Sequence, residues 1–438
     1  MNIDDYKITD EFGAQGFMET LGLLHTPEGV RDLYNAECEK KLQVEKNIHE
    51  VLSLYHFQDI QTPTFEYFDI FNKERGTIAS REMYKFFDKE GNTLVLRPDF
   101  TPSIARCAAK YYKDEELPIR LCYIGNTFIN TSRYQGKLKE VTQVGAELIQ
   151  DGTVDADAKM IALTIECLKK AGLKDFQLEI GHADFLNGLL EEASFNVEES
   201  MKLKGLIESK NVFGVEELVK EKELEEHLAE VLLRLPELFG SKEHLDYAKS
   251  KVKNLRSLQA ITRLEQLDEL LRIYQVEKYV SYDLGMLSKY NYYTGIIYRA
   301  YSYGTGDVIV TGGRYDNLVR QFGKDAPAIG FGIAMDQLML ALERQNVEIS
   351  VKKNNTLLVY ESNTTKIAIQ LANQFRRDGM CVEVIAKAEN RSMNEYIEYG
   401  RRHQDGGIIY LESEENIQII HLASGEKNTV SIDELLRK

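Results

Sequence analysis

The stretch from Ser281 to Leu338 reads SYDLGMLSKYNYYTGIIYRAYSYGTGDVIVTGGRYDNLVRQFGKDAPAIGFGIAMDQL. Three runs within it are rich in β-branched and aromatic residues: Ile296 to Tyr301, Val308 to Val310 and Ile329 to Ile333; a helix opens near Met335. Gly-Thr-Gly and Gly-Gly punctuation between the runs suits strands that turn back on one another, so the stretch predicts a sheet. Tyr290, Tyr292 and Tyr293 are aromatics with polar tips, and Gly312-Gly313 exposes backbone, a combination that suits a pocket wall. Periodicity alone fits a buried sheet with no ligand equally well.

Around this stretch, 438 residues exceed one ordinary core, so two or three domains are expected. Charge narrows the function classes. The 54 basic and 70 acidic residues leave a net charge of −16, whereas a protein that holds a large polyanion ordinarily presents a basic face. Cys38, Cys107, Cys122, Cys167 and Cys381 show neither CxxC nor His/Cys ligand spacing. They read as reduced, mostly buried thiols of a cytosolic protein with no structural zinc and no cofactor. Neither a signal-peptide core nor a run of 18 apolar residues occurs, so secretion and membrane spanning are not expected.

Taken in order, residues 1–25 are weakly patterned and read as an irregular arm. Thr26-Pro27-Glu28-Gly29 reads as a turn, after which Asp32 or Asn35 caps a long helix carrying Leu42, Val44, Ile48, Val51 and Leu52 at helical spacing. Ile60 to Phe65 alternates like a strand with Pro63 at an edge, bulge or subunit boundary. Two short strands flank Asn92, a helix runs from Pro102 to Tyr112, and Ile119 to Phe128 with Glu140 to Leu148 forms an antiparallel hairpin. A helix over 151–171 and a strand over 176–180 follow.

From 185 to 270 Glu, Lys and Leu dominate, which predicts an insertion of short amphipathic helices without strands. Its charge-rich segment, 216–226, reads as a solvated face. Beyond a linker, 356–438 alternates strand and helix as a small α/β domain. Residues 351–438 hold 12 Lys and Arg against 13 Asp and Glu, too neutral a balance for an RNA-reading domain.

The phrases TPEGVRD (Thr26 to Asp32), LRPDFT (Leu96 to Thr101), NYYTG (Asn291 to Gly295), GGRYDNL (Gly312 to Leu318) and PAIGFG (Pro327 to Gly332), with the spacing from Gly125 to Glu147, resemble the histidyl-tRNA synthetases over nearly the whole chain. The resemblance implies an α+β, class II synthetase-like fold: a six-stranded antiparallel sheet flanked by helices over 1–184 and 271–346, interrupted by the 185–270 insertion and followed by an anticodon-domain-like 356–438. It also implies a homodimer interface over 32–65.

Departures from the family's motifs bear on function. The arginine that grips the α-phosphate of ATP is replaced by Ile129, the one that clamps the γ-phosphate by Gln337, and the one four residues before the paired tyrosines by Ser288. Adenylate transfer rests on positioning and on neutralising phosphate charge, and losing one such preorganised donor costs about 10² to 10³ in rate. Arg133, in the loop after Ile129, is the nearest stand-in by sequence. Positions that hold histidine in the family correspond to Asp99, Thr101, Gln143, Glu147, Tyr292 and Tyr293. Carboxylates accept from an ammonium or an imidazole N–H, and a tyrosine hydroxyl serves either ring tautomer.

A kept amino-acid cradle beside lost ATP clamps resembles the regulatory-subunit paralogues of ATP phosphoribosyltransferase. That resemblance implies no catalysis, activation of the short-form catalytic subunit in a hetero-oligomer, an octamer, and histidine as effector in the first step of histidine biosynthesis, with no tRNA and no membrane partner. The alternatives are a divergent histidyl-tRNA synthetase and a free-standing histidine sensor.

Overall fold

The structure is a computed structural model; it describes residues 24–71, 78–131, 137–287, 292–351, 355–403, 405–413 and 416–431. Ser288, Tyr290, Arg133 and most of the N-terminal arm lie outside the described residues. The chain divides into two compact units, one holding 41–349 and the other 350–438 with 34–40.

Helix α1 (Asn35–Leu54), in the first unit from Lys41 onward, leads into β1 (Gln58–Asp59). A small antiparallel sheet of β2 (Phe65–Tyr67), β3 (Lys85–Phe87) and β4 (Thr93–Leu96) follows. Then come α2 (Thr101–Tyr111), β5 (Ile119–Phe128), β6 (Glu140–Ile149), α3 (Val154–Ala171) and β7 (Gln177–His182). Helices α4 (Ala183–Glu192), α5 (Val197–Glu208), α6 (Val212–Glu221), α7 (Glu226–Arg234), α8 (Glu243–Lys251) and α9 (Leu255–Ile273) carry the Leu-rich segment, with the short β8 (Phe239–Gly240) among them. The unit closes with β9 (Val280–Asp283), β10 (Ile296–Tyr301), β11 (Val310–Arg314), β12 (Ala328–Ala334) and α10 (Met335–Arg344).

Nine strands form one sheet in the order β1-β5-β6-β12-β11-β10-β7-β9-β8. Its six central members, β5 to β7 in that order, are antiparallel throughout, as the class II resemblance implies. Parallel β1 and β9 extend the sheet on either side.

Three sequence expectations need correction. The second run of the opening stretch is Val310–Arg314, not 308–310, because Gly312-Gly313 lies inside the strand. A glycine there admits a close neighbour: a Cβ on Gly312 would stand 2.3 Å from the Tyr298 ring. Residues 60–64 are not a strand; β1 and β2 end on either side of Pro63, which offers no N–H to a ladder. The Leu-rich segment is also not strand-free, since β8 pairs with β9.

Alternation along the strands gives the sheet two unlike faces. Val144, Ala146, Leu148, Ile329, Phe331, Ile333, Tyr298 and Cys122 pack in one apolar cluster with α1, α3 and α9, which also takes in the Leu-rich helices. The opposite face presents Tyr123, Gln143, Gly145, Glu147, Thr311, Gly313, Gly330 and Gly332, aligned across β5, β6, β12 and β11 by register. A smaller cluster from α2, with Phe100, Ile104, Tyr292 and Tyr315, covers part of this glycine-rich face. Apolar burial of the first face anchors the sheet, which leaves the second free to carry polar groups.

The second unit has a five-stranded sheet, β14 (Cys381–Ala386), β13 (Asn355–Tyr360), β15 (Gly407–Leu411), β16 (Ile417–His421) and β17 (Lys427–Val430), in that spatial order. Pairs β13–β14 and β13–β15 are parallel, and the last two pairs antiparallel. Leu358 packs with α11 (Thr365–Arg377) on one face, while Leu357 and Val359 pack with α12 (Met393–Arg402) on the other. Helices on both faces make the α/β layering the alternating pattern predicts. Among the described residues, no helix is long and apolar enough to cross a membrane.

Candidate functional site

The six residues singled out for histidine converge. Asp99, Thr101, Gln143, Glu147, Tyr292 and Tyr293 line one cavity with about 280 Å³ of empty space, on the glycine-rich face beside the first turn of α2. Thr311, Tyr315, Gly330, Phe331 and Gly332 complete the lining, and the sequence reading does not assign them to the site. Tyr315 was within sight, since it belongs to GGRYD and follows the buried Arg314 by one position. Of the Gly312-Gly313 pair expected in the wall, Gly312 turns to the helix side against Tyr298, and only Gly313 faces Tyr293.

Two carboxyl groups sit at the centre. Glu147, on β6, is fully buried; its Oε1 accepts from Thr101 Oγ1 at 2.8 Å and its Oε2 from the Tyr315 hydroxyl at 2.6 Å. Asp99 precedes α2, accepts at Oδ1 from the backbone N–H of Phe100 at 2.7 Å, and accepts at Oδ2 from the Tyr292 hydroxyl at 3.0 Å. Tyr292 meets Tyr293 and Tyr315 edge-on, with ring centroids 5.0 and 6.0 Å apart, so three aromatics fix one another. The glycines make the room. A Cβ on Gly330 would stand 1.6 Å from Glu147 Oε2, and one on Gly332 would stand 1.7 Å from Gln143 Nε2. Beneath them Tyr123 stacks on Phe100 at 4.2 Å, and the Arg97 guanidinium covers Phe100 at 4.0 Å.

Burial pushes the Glu147 carboxyl up to about 8; the hydroxyls of Tyr315 and Thr101 oppose that rise and the Asp99 charge adds to it. Burial likewise raises Asp99, against the hydrogen bonds from Tyr292 and the backbone. A cavity with two reluctant carboxylates favours a cationic guest, since an ammonium or imidazolium would stabilise their ionised forms. Among the described residues that line it, none carries a cationic side chain.

The raised carboxyl makes a stability prediction. Folded Glu147 holds its proton up to about pH 8, whereas unfolded Glu147 releases it near 4.5. Between those values the folded state binds more protons, so stability is full below 4.5 and is lost as pH rises through 8. Glu147→Gln is therefore expected to melt higher than the parent in the absence of ligand. The gap should be largest near pH 8 and shrink toward pH 5 in thermal scans; a gap independent of pH would refute the assignment.

The positions that depart from the synthetase motifs fall as follows. Ile129 follows the end of β5, its N–H donating to the Lys139 carbonyl at 2.9 Å. Gln337 lies in the first turn of α10 and donates to Asp336 at 2.9 Å. Ser288 and Arg133 are outside the described residues.

Comparison with known proteins identifies the family. A family model described as histidyl-tRNA synthetase matches residues 29–338. An ATP phosphoribosyltransferase regulatory subunit of Acetivibrio thermocellus is 41% identical over 414 residues, which cover 94% of this chain and 99% of the relative. Alignment on that scale includes most of the C-terminal unit. A Bacillus halodurans crystal structure titled as an ATP phosphoribosyltransferase regulatory subunit/histidyl-tRNA synthetase superposes with a TM-score of 0.79 at 32% identity, covering 89% of this chain and 99% of that one. A histidyl-tRNA synthetase from a Nostoc species, at 19% identity and a TM-score of 0.78 over 94% of this chain and 98% of that one, shares the fold. With its class II sheet and its matches along nearly the full length, the chain belongs to the ATP phosphoribosyltransferase regulatory subunits, a branch of the histidyl-tRNA synthetase-like family.

Proposed function

We propose that this chain is a non-catalytic regulatory subunit in histidine biosynthesis: it activates the short-form ATP phosphoribosyltransferase catalytic subunit and carries histidine feedback to it. One observation supports this above the rest. The amino-acid cavity is built and internally hydrogen-bonded around Glu147 and Asp99, yet among the described residues lining it there is no cation for a triphosphate. Ile129 and Gln337 stand where the synthetase motifs place arginines. A histidine ammonium or imidazole meets Asp99, Glu147 and the tyrosine hydroxyls, while Thr101 and Gln143 add polar edges.

In this reading the chain works in the cytoplasm as a homodimer through residues 32–65, within a hetero-octamer, and charges no tRNA. The helical segment 185–270 is an insertion that shares the apolar cluster of a core formed by 1–184 and 271–346, and 356–438 is a separate domain. Coupling between histidine and the catalytic subunit is reciprocal, so that subunit's ligands shift histidine affinity in turn.

Mixing the purified chain with the short catalytic subunit and following phosphoribosyl-ATP formation tests the proposal. Co-elution, activity that appears only in the mixture, and suppression of it by histidine are the expected results. Absence of both activation and co-elution ends the proposal, and histidine-dependent pyrophosphate exchange by the chain alone would transfer it to the synthetase reading.

A further inference from the structure

Away from the cavity, on the helix-packed side of the sheet, three side chains of different chemistry meet at the β1 edge. Asp59 of β1 and Cys122 of β5 are register partners in a parallel pair, so their side chains stand next to each other on one face. His49 of α1 reaches over them. Its Nε2 lies 2.8 Å from Asp59 Oδ1, and Cys122 Sγ lies 3.6 Å from the same oxygen. One ligand atom from each residue falls within 4.8 Å of the other two.

We infer that His49, Asp59 and Cys122 form a binding site for a thiophilic divalent cation of the zinc class. Zinc bonds of ~2.0–2.3 Å to N, O and S set tetrahedral ligands about 3.3–3.8 Å apart. The Cys122–Asp59 separation already meets that spacing, and the His49–Asp59 pair needs to open by about 0.5 Å. Burial grades outward across the three: Cys122 is buried, His49 half-buried and Asp59 exposed. An ion here would be held from within by sulfur and keep its fourth position on the outer side, the pattern of a three-ligand zinc site; His49 and Asp59 lie in the 32–65 segment of the proposed dimer interface, so that side is open to water in the single chain.

Ligand chemistry chooses the ion. Cys122 is a free thiol, and coordination as a thiolate releases its proton to solvent. Zinc-class ions deprotonate a coordinating thiol, whereas magnesium and calcium take oxygen ligands. No spacing motif announces the site, because the ligands come from a helix, an edge strand and its neighbour, far apart in sequence.

The test is equilibrium dialysis of the full chain against zinc, with bound metal counted per chain, followed by cobalt titration read as a thiolate-to-cobalt charge-transfer band. One equivalent of zinc is expected, retained against excess magnesium, with the cobalt band lost in Cys122→Ser. His49→Ala, at a half-exposed helix position that the fold tolerates, is expected to weaken zinc at least tenfold while circular dichroism stays unchanged. A band that survives Cys122→Ser, or zinc retention unaltered in His49→Ala, overturns the site. Retention altered only by Cys381→Ser, which removes the exposed thiol, overturns it as well.

Discussion

Gly330→Ala is expected to raise the dissociation constant for histidine at least ~100-fold, about 2.8 kcal/mol, while the chain stays folded. Gly330 is the register partner of Glu147, and the added methyl would stand 1.6 Å from Oε2 and 2.4 Å from the carboxyl carbon. The backbone has little freedom to yield. β12 is hydrogen-bonded on both sides, to β6 and to β11, and the carbonyl of Ala146 stands 2.9 Å from the same methyl. Glu147 must therefore swing away and give up the hydroxyls of Thr101 and Tyr315. Each buried polar group left unpaired costs ~1–3 kcal/mol, and the guest loses its carboxylate as well. Calorimetric titration with histidine measures the change. Gly205→Ala, a helical glycine whose methyl would meet nothing within 4 Å, is the matched control and should leave the isotherm unmoved. Binding by Gly330→Ala within threefold of the parent would show that histidine sits elsewhere.

The carboxylates and paired tyrosines of this cavity were legible in the sequence because they travel in phrases. LRPDFT carries Asp99 and Thr101, and NYYTG carries Tyr292 and Tyr293. Tyr315, Gly330 and Gly332 were not assigned roles, although the phrases GGRYDNL and PAIGFG contain them. For the glycines the contribution depends on register, which places Gly330 opposite Glu147 and Gly332 opposite Gly145, diagonal to Gln143, and one strand read alone does not contain that pairing. Strand ends that were misplaced follow the same logic. Gly312-Gly313 looked like a turn because glycine is ambiguous between a turn and a strand position that takes a close neighbour; only the Tyr298 ring across the ladder decides it. The long helix, the hairpin of β5 and β6, and the alternating tail were readable from local periodicity, where side-chain burial and sequence spacing coincide. His49, Asp59 and Cys122 mark the other extreme, a cluster assembled entirely by tertiary packing.

The two faces of the sheet are coupled at the end of β11, where Arg314 points to the helix layer and Tyr315 to the cavity. Arg314 Nε and Nη2 donate to Asp157 Oδ1 at 2.9 and 2.5 Å, and Nη1 donates to Asp316 at 3.0 Å and to the Asp151 carbonyl at 3.1 Å. Arg263 of α9 takes the other oxygen of Asp157, Nε to Oδ2 at 2.7 Å. Asp157 is wholly buried and Arg314 nearly so, and the carboxylate joins α3, β11 and α9. Asp157→Ala would leave the Arg314 guanidinium buried with one partly exposed carboxylate, Asp316, and backbone carbonyls. Removing one partner of a buried pair costs ~3–5 kcal/mol, chiefly from the charge left behind. A loss of that size in denaturant unfolding of the first unit is expected, larger than for Arg263→Ala, because Arg263 is partly exposed and Asp157 would keep Arg314. The damage should also reach the cavity. A displaced Arg314 carries Tyr315 with it and weakens the 2.6 Å hydrogen bond to Glu147, so histidine binding is expected to fall in Asp157→Ala, with no ligand contact removed. Stability and histidine affinity both within error of the parent would mean that the strand end is held by the sheet alone.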